Sequence, residues 1–131
     1  MASVFTKIIN GQIPCHKIAE DDRFLAFLDI QPTAIGHTLV VPKQEVDYIF
    51  DLDNETYLAL MAFSKKVGQA IEKAIPCKRI GIMVVGLEVP HTHVHLIPLN
   101  SMADMNLNKK LTISHDELAM IATKISLFTV K

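Results

Sequence analysis

Val89-Pro-His-Thr-His-Val-His-Leu-Ile-Pro98 is the stretch of this sequence that says most about the fold. Three of its residues alternate along the chain: His91, His93 and His95. On a β-strand alternate side chains share a face, so the stretch predicts a strand over about 91–99 with neighbouring imidazoles about 6.5–7 Å apart. Val94 and Leu96 would then point the other way, into the core.

Three imidazoles on one strand face indicate a catalytic role more than a purely structural one. Each needs a hydrogen-bond partner if buried, and a charged neighbour lowers the pKa of the next. A histidine kept neutral can present an unprotonated ring nitrogen as a nucleophile toward phosphorus. Nearby imidazoles can hydrogen-bond the phosphoryl oxygens or assist the leaving group. The spacing alone leaves two alternatives open: a zinc site completed by His95 or His37, and plain surface histidines on an exposed strand.

Apolar periodicity and turn residues give the remaining elements. Helices are predicted over 3–10, from Asn54 (capped by Asp53) to about Ile75, and from the Ser114 capping-box pattern to about Phe128. Strands are predicted at about 16–19, 23–28, 37–41, 79–85 and 91–99. The 79–85 segment is nearly all apolar, which is typical of a strand covered on both faces.

These elements favour an α+β domain over a doubly wound one. Tight turns, not helical crossovers, join most strands, which predicts a mainly antiparallel five-stranded sheet. One long central helix, a short N-terminal helix and a C-terminal helix complete it. At 131 residues, the expectation is a single domain over 1–131.

The composition argues against nucleic acids and membranes as partners. With 13 basic and 14 acidic residues the net charge is −1, which offers no field to attract a nucleic acid. No stretch approaches the roughly 20 apolar residues that span a bilayer. Cys15 and Cys77 have no metal-binding spacing, and without a secretory leader they predict reduced thiols and a cytoplasmic protein.

Four segments in the same order resemble the histidine triad (HIT) family, a superfamily of nucleotide-binding hydrolases and transferases. They are Phe5-x-Lys-Ile-Ile-x-Gly-x-Ile-Pro14, Phe27-Leu-Asp-Ile30, Gly36-His-Thr-Leu-Val-Val-Pro-Lys43 and His91-Thr-His-Val-His-Leu-Ile97. Thr92 is the one weak position of the last match. The resemblance runs from Val4 to about Leu99. It implies a HIT-like fold, purine-nucleotide binding, reaction at the α-phosphate, and usually a homodimer whose two sheets join through the long helix and a strand.

The resemblance also implies a role for each matching residue. His93 corresponds to the nucleophile and His95 to the residue beside the phosphate and leaving group. His91 and His37 correspond to a pair that supports and orients the nucleophile, and Asp29 to the carboxylate that binds the ribose hydroxyls. An apolar set corresponds to the base pocket: Phe5, Ile8, Ile13, Phe27, Ile30 and Leu39. Without the resemblance, Asp29 is interpreted as a turn former, and Phe5, Ile8 and Ile13 as core residues.

The sequence departs from the family pattern in two places. Many relatives carry cysteines at the positions of Ser3 and Thr6 and bind zinc with two histidines; the hydroxyls here predict no metal and no cofactor. Relatives also have a longer loop before the triad, with a polar group that touches the phosphate. Here Gly86-Leu-Glu-Val-Pro90 puts Leu87 in that place and adds a negative charge at Glu88. The main-chain N–H of Glu88 could still bind phosphate.

Two hypotheses follow. The first is an enzyme that hydrolyses nucleoside 5′-monophosphate derivatives (phosphoramidates, adenylates or dinucleoside polyphosphates) through a covalent nucleotidyl-histidine at His93. The alternative, motivated by the altered loop, is a nucleotide-binding regulatory or scaffolding dimer with weak or no turnover.

Overall fold

Five strands form one antiparallel sheet in the computed structural model, which describes residues 2–129. The strands are β1 (Lys17–Glu20), β2 (Phe24–Leu28), β3 (Thr38–Pro42), β4 (Arg79–Met83) and β5 (Val94–Leu99). The helices are α1 (Val4–Ile9), α2 (Asn54–Ala74) and α3 (His115–Ser126). The spatial order is β1-β2-β3-β5-β4, and every neighbouring pair is antiparallel. The predicted α+β fold is confirmed.

Local side chains decide where the helices begin and end. Three residues cap the N-termini: Ser3, Asp53 and Ser114. Each side-chain oxygen accepts a hydrogen bond from the main-chain N–H three residues later, which satisfies a donor that the helix leaves unpaired. Helix α2 ends at Ala74, one residue earlier than predicted, because Pro76 disfavours helical backbone at Ile75. Within residues 2–129 no helix combines the length and apolar character that a membrane crossing requires.

The sheet separates two apolar clusters. On one face α2 covers the strands through a buried stripe: Leu60, Val67, Ala70, Ile71 and Ala74. Val94 and Leu96 of β5 belong to this larger core, as predicted. The other face carries a smaller cluster in which Phe5 of α1 packs with Phe27 and Leu39. Since Leu39 pairs with His95 across the sheet, the histidines lie on the α1 face.

The strand of the histidines is shorter than predicted. It begins at Val94 and not at about residue 91. The reason is visible at Thr92, whose N–H and hydroxyl both donate to the carbonyl of Val46 at 2.7 Å instead of pairing with a strand. The same bonds explain how a polar residue is accommodated at this position. His91 and His93 therefore belong to a fixed connection that leads into β5.

Strand β4 corrects a second prediction. It lies at the edge of the sheet with β5 as its partner, and none of its five residues is buried, so it is not covered on both faces. Ile82, near its middle, is 52% exposed. The apolar composition of 79–85 therefore does not reflect burial within this chain. Both cysteines are free thiols, as their spacing predicts; the location of the protein stays a prediction.

Candidate active site

A cavity of about 370 Å³ opens on the α1 face of the sheet. It gathers seven of the residues that the sequence singles out: Phe5, Asp29, His37, Leu39, Glu88, His93 and His95. They come from α1, the loop between β2 and β3, β3 itself, the connection before β5, and β5. Residues up to 90 positions apart are thus brought around one opening.

Five predicted residues lie outside the wall of this cavity. His91 is fully buried behind it, and Phe27 is 4% exposed in the cluster beneath Phe5. Ile8 packs against the same cluster and Ile13 is half-buried. Ile30 is 58% exposed, because it follows the turn at Asp29 and points to solvent. Of the apolar set predicted for a base, Phe5 and Leu39 line the cavity.

The ring of His93 is held by a main-chain acceptor. Its Nδ1–H donates to the carbonyl oxygen of His91 at 2.7 Å, so the proton sits on Nδ1 and Nε2 carries a lone pair. The Phe5 ring meets it edge-on, with centroids 4.9 Å apart. Burial lowers the pKa of His93, partly opposed by the hydrogen bond to His91, which favours the charged ring. His93 is therefore a neutral imidazole in fixed orientation at neutral pH.

A chain of hydrogen bonds assigns the tautomers of His37 and His95. The N–H of Thr33 donates to Nδ1 of His37 at 3.0 Å, so the proton of His37 is on Nε2. That Nε2–H donates to Nδ1 of His95, also at 3.0 Å. His95 is left with Nε2–H as its donor toward a ligand. Burial first, then the charges of His37, His93 and Lys110, lower the pKa of His95 to about 3.

The supporting roles are distributed differently from the expected pair around His93. His37 bonds to His95 and not to His93, while His91 holds His93 through its main-chain carbonyl and not its ring. His37 has this place because Gly36 precedes it with φ +93°, and a Cβ there would come within 3.0 Å of Ile75. Burial is the largest cause of the low His37 pKa, as it is for His93 and His95. Mutual charge, the cause expected from the spacing, is secondary.

The ring of His91 is anchored in a hydrogen-bonded network with α1. Ser3 donates its hydroxyl to Nδ1 of His91 at 2.7 Å, and Nε2–H of His91 donates to the carbonyl of Pro42 at 2.8 Å. Glu45 accepts from the hydroxyl of Thr6 and, at 2.8 Å, from the N–H of Ser3. These bonds lower the pKa of the Glu45 carboxyl, that from the Ser3 N–H most of all. The network docks the helix that carries Phe5.

This network occupies the positions where the family resemblance places zinc ligands. Ser3 and Thr6 offer hydroxyls that are already hydrogen-bonded, whereas zinc in proteins is bound by thiolates, imidazoles and carboxylates. The donor set therefore does not fit a zinc ion of that kind.

Replacing Ser3 by alanine should lower the stability of the fold. The change removes the α1 cap and the hydrogen-bond partner of His91, which together cost about 1–2 kcal/mol of unfolding free energy. Urea unfolding measures this loss. Ser114→Ala is the matched control: it removes the cap of α3 and no partner of a buried imidazole, so it should lower stability less. An unchanged unfolding midpoint for Ser3→Ala would contradict this role of the network.

The sequence leaves two interpretations of Asp29 open, a turn former or a carboxylate of the site, and its position fits both. Its Oδ1 accepts from the N–H of Gln31 at 2.8 Å, the bond of a turn former, yet the side chain also lines the cavity. Oδ2 lies 3.7 Å from Nε2 of His37. Asp29, His37 and His95 offer donor atoms within 4.8 Å of one another, a spacing that a metal ion could bridge. In this structure the two imidazoles hydrogen-bond each other.

The cavity also contains residues that no motif indicates. Thr33 and Gln31 come from the loop after β2, and Leu107 and Lys110 from the segment between β5 and α3. The altered loop forms part of the rim: Gly86 has φ +75°, and Leu87 is 89% exposed. Lys110 lies beyond the last matching segment, so only the folded chain shows its place.

Known proteins are similar to this chain over most of its length. Residues 10–102 match the HIT domain. An uncharacterized HIT-like protein of Borreliella burgdorferi is 33% identical over 133 residues, covering 95% of this chain and 96% of its own. An adenosine 5′-monophosphoramidase of Schizosaccharomyces pombe is 40% identical over 100 residues, covering 75% of this chain and 74% of its own. The crystal structure of a Hit-like protein involved in cell-cycle regulation from Bartonella henselae superposes with a TM-score of 0.85 at 31% identity, covering 96% of this chain and 95% of that one.

Proposed function

This chain belongs to the HIT domain family, and from that membership and its histidine geometry we propose that it hydrolyses or transfers nucleotides at the α-phosphate. The observation that carries the proposal is the 2.7 Å hydrogen bond from Nδ1–H of His93 to the His91 carbonyl. It leaves Nε2 of His93, which lines the cavity, unprotonated and with a free lone pair. The phosphoramidase among its relatives supports a nucleoside 5′-monophosphoramidate as the substrate class.

The cavity offers a complementary group for each part of a purine nucleotide. Phe5 and Leu39 provide apolar contact for the base, and Asp29 can accept two ribose hydroxyls. The α-phosphate then lies between His93 and His95, within reach of the main-chain N–H of Glu88. Neutral histidines suit this place, since Nε2–H of His95 can donate to a phosphoryl oxygen while Nε2 of His93 keeps its lone pair.

In the first step Nε2 of His93 forms a bond to phosphorus and the bond from phosphorus to the leaving nitrogen breaks. The ring becomes a cation, and its Nδ1–H bond to the His91 carbonyl stabilises that charge. His95 hydrogen-bonds the phosphoryl group or the departing atom. The amine takes its proton from solvent, because a neutral imidazole that gave up its N–H would become an anion.

In the second step a water oxygen attacks phosphorus on the nucleotidyl-histidine and the phosphorus–nitrogen bond to His93 breaks. The water releases its proton to solvent, and His93 returns to the neutral ring with the monophosphate as product. Splitting one displacement into two through a covalent intermediate is a general strategy for such nucleophiles. No metal ion enters either step.

A second candidate is a nucleotide-binding regulatory or scaffolding dimer with little turnover. It is favoured by the loop before the triad, where Glu88 places a carboxylate on the cavity wall and Leu87 offers no polar side chain. Both candidates predict binding of a purine nucleotide.

Turnover assays separate the two. The purified chain is incubated with adenosine 5′-phosphoramidate and, separately, with diadenosine polyphosphates, and release of AMP is followed by chromatography. We expect AMP from the phosphoramidate. Saturable AMP binding with no product from either substrate would contradict the enzyme and support the regulatory dimer.

We also propose that the chain forms a homodimer through β4 and α2. The outer edge of β4 presents main-chain groups to a further strand, and Ile82 is exposed there. A surface groove beside this edge is lined by residues of α2 and β4, among them Gly68 and Ile80. A second copy would cover the groove and the strand edge.

Ile82→Lys should therefore convert a dimer to a monomer, because it places a charge in the proposed interface. Sedimentation at several concentrations measures the change in mass. Met120→Lys, on the exposed side of α3, is the control and should leave the mass unaltered. A wild-type chain that sediments as a monomer at every concentration would overturn the dimer.

A further inference from the structure

The segment between β5 and α3 returns across the cavity and is fastened there. Thr33 donates its hydroxyl to the carbonyl of Asp104 at 2.6 Å, and the N–H of Leu111 donates to the carbonyl of Pro32 at 2.8 Å. Both bonds join the segment to the loop that holds His37. The backbone on either side of residues 105–110 is thus tied to the rim of the site.

Two consecutive lysines in this segment face different partners. Lys109 donates to the Asp104 carboxylate at 2.9 Å, and the same carboxylate accepts main-chain N–H groups from Asn100 and Ser101. Its pKa is lowered to about 2, chiefly by the bond from Lys109. Lys109 therefore serves the local fold. Lys110, with an exposed side chain, lines the cavity instead.

Lys110 is the cationic side chain in a cavity wall whose other charged residues are acidic. Asp29 and Glu88 contribute negative charge, and the imidazoles of the site are held neutral. Lys110 is the one lysine or arginine among the cavity-lining residues of the described chain. A cation would stabilise a phosphate bound in this surrounding beyond what the neutral N–H donors provide, because it adds an ion pair that helps to offset the desolvation of the anion.

We propose that Lys110 is a substrate-binding residue whose ammonium group pairs with the α-phosphate of the nucleotide. The proposal rests on the proposed function of the site and adds to it a residue outside the matched range 10–102. Lys110 supplies from the far end of the chain a polar contact that Leu87 cannot make. The positive charge of Lys110 also adds to the causes that lower the pKa of His37 and His95, after burial, which agrees with its position near them.

Binding of AMP and of adenosine to Lys110→Met tests the assignment. We expect the Kd for AMP to rise about tenfold or more, the loss typical of a charge-assisted hydrogen bond, and the Kd for adenosine to stay unchanged. The dependence of AMP binding on sodium chloride should weaken as well, which a purely structural role would not cause. Lys110→Arg should recover most of the affinity, and Lys124→Gln on α3, which removes one remote positive charge, should have no effect.

The outcomes distinguish the two proposals. Wild-type binding of AMP that Lys110→Met leaves intact overturns the assignment of Lys110 alone. Equal losses for AMP and adenosine overturn it too, since the lysine would then act on the cavity as a whole. A tenfold loss specific to AMP supports it even if no substrate is turned over. A wild-type chain that binds no AMP overturns both proposals.

Discussion

His93→Ala is expected to lower kcat/KM for adenosine 5′-phosphoramidate by about 10⁴-fold or more, a loss typical of a missing nucleophile. The Kd for AMP should change far less than kcat/KM, because Asp29, His95 and Lys110 would still contact the ribose and the phosphate. Stopped assays of AMP release give the first quantity, and calorimetric titration gives the second. Together they separate loss of chemistry from loss of the binding site.

A matched control removes a histidine elsewhere. His16 lies on the surface against His115, with ring nitrogens 3.2 Å apart, and His16→Ala should keep wild-type kinetics. His37→Ala should fall between the two, since it frees the ring of His95 without touching His93. A His93→Ala protein that retains a tenth of the wild-type rate would show that another group attacks phosphorus.

The fold should lose stability on acidification at pH values well above those at which carboxylates titrate. Native His95 has a pKa of about 3, against about 6.5 when unfolded, so the unfolded chain binds the extra proton as pH falls. Its contribution to stability is present above pH 6.5 and is lost as pH falls toward 3. For this one residue linkage gives a loss of about 2 kcal/mol in the free energy of unfolding between pH 7 and pH 5. The lowered pKa values of His37 and His93 add to it in the same direction.

Urea unfolding at pH 7 and pH 5 measures this loss. His95→Gln, which cannot take up the proton, should show a smaller difference between the two pH values than the wild type. Equal stability of the wild type at pH 7 and pH 5 would mean that the histidines titrate normally and are not buried as the structure shows.

Features that depend on neighbouring residues could be predicted from the sequence. The caps at Asp53 and Ser114, the end of α2 near Pro76 and the turn between β1 and β2 are local, and the structure has them within a residue or two. The spacing of the histidine stretch correctly indicated inward-facing Val94 and Leu96.

Features that depend on contacts between residues distant in sequence could not be predicted. Thr92 hydrogen-bonds to the carbonyl of Val46 and so does not pair with a neighbouring strand. Strand β4 lies at the edge of the sheet. The apolar pattern of the sequence indicates neither feature. Ring tautomers follow from partners such as Thr33, far from the triad in sequence. Lys110 has no motif of its own and reaches the site only because the segment between β5 and α3 is tied back to it.

The nucleophilic role of His93 has a direct stereochemical test. An adenosine 5′-phosphorothioate derivative of known configuration at phosphorus, with an amine leaving group, is hydrolysed in ¹⁸O-labelled water, and the configuration of the product is determined. Two in-line displacements each invert phosphorus, so attack by His93 followed by water predicts net retention. Net inversion would mean that water attacks the substrate directly, and it would contradict a nucleotidyl-histidine.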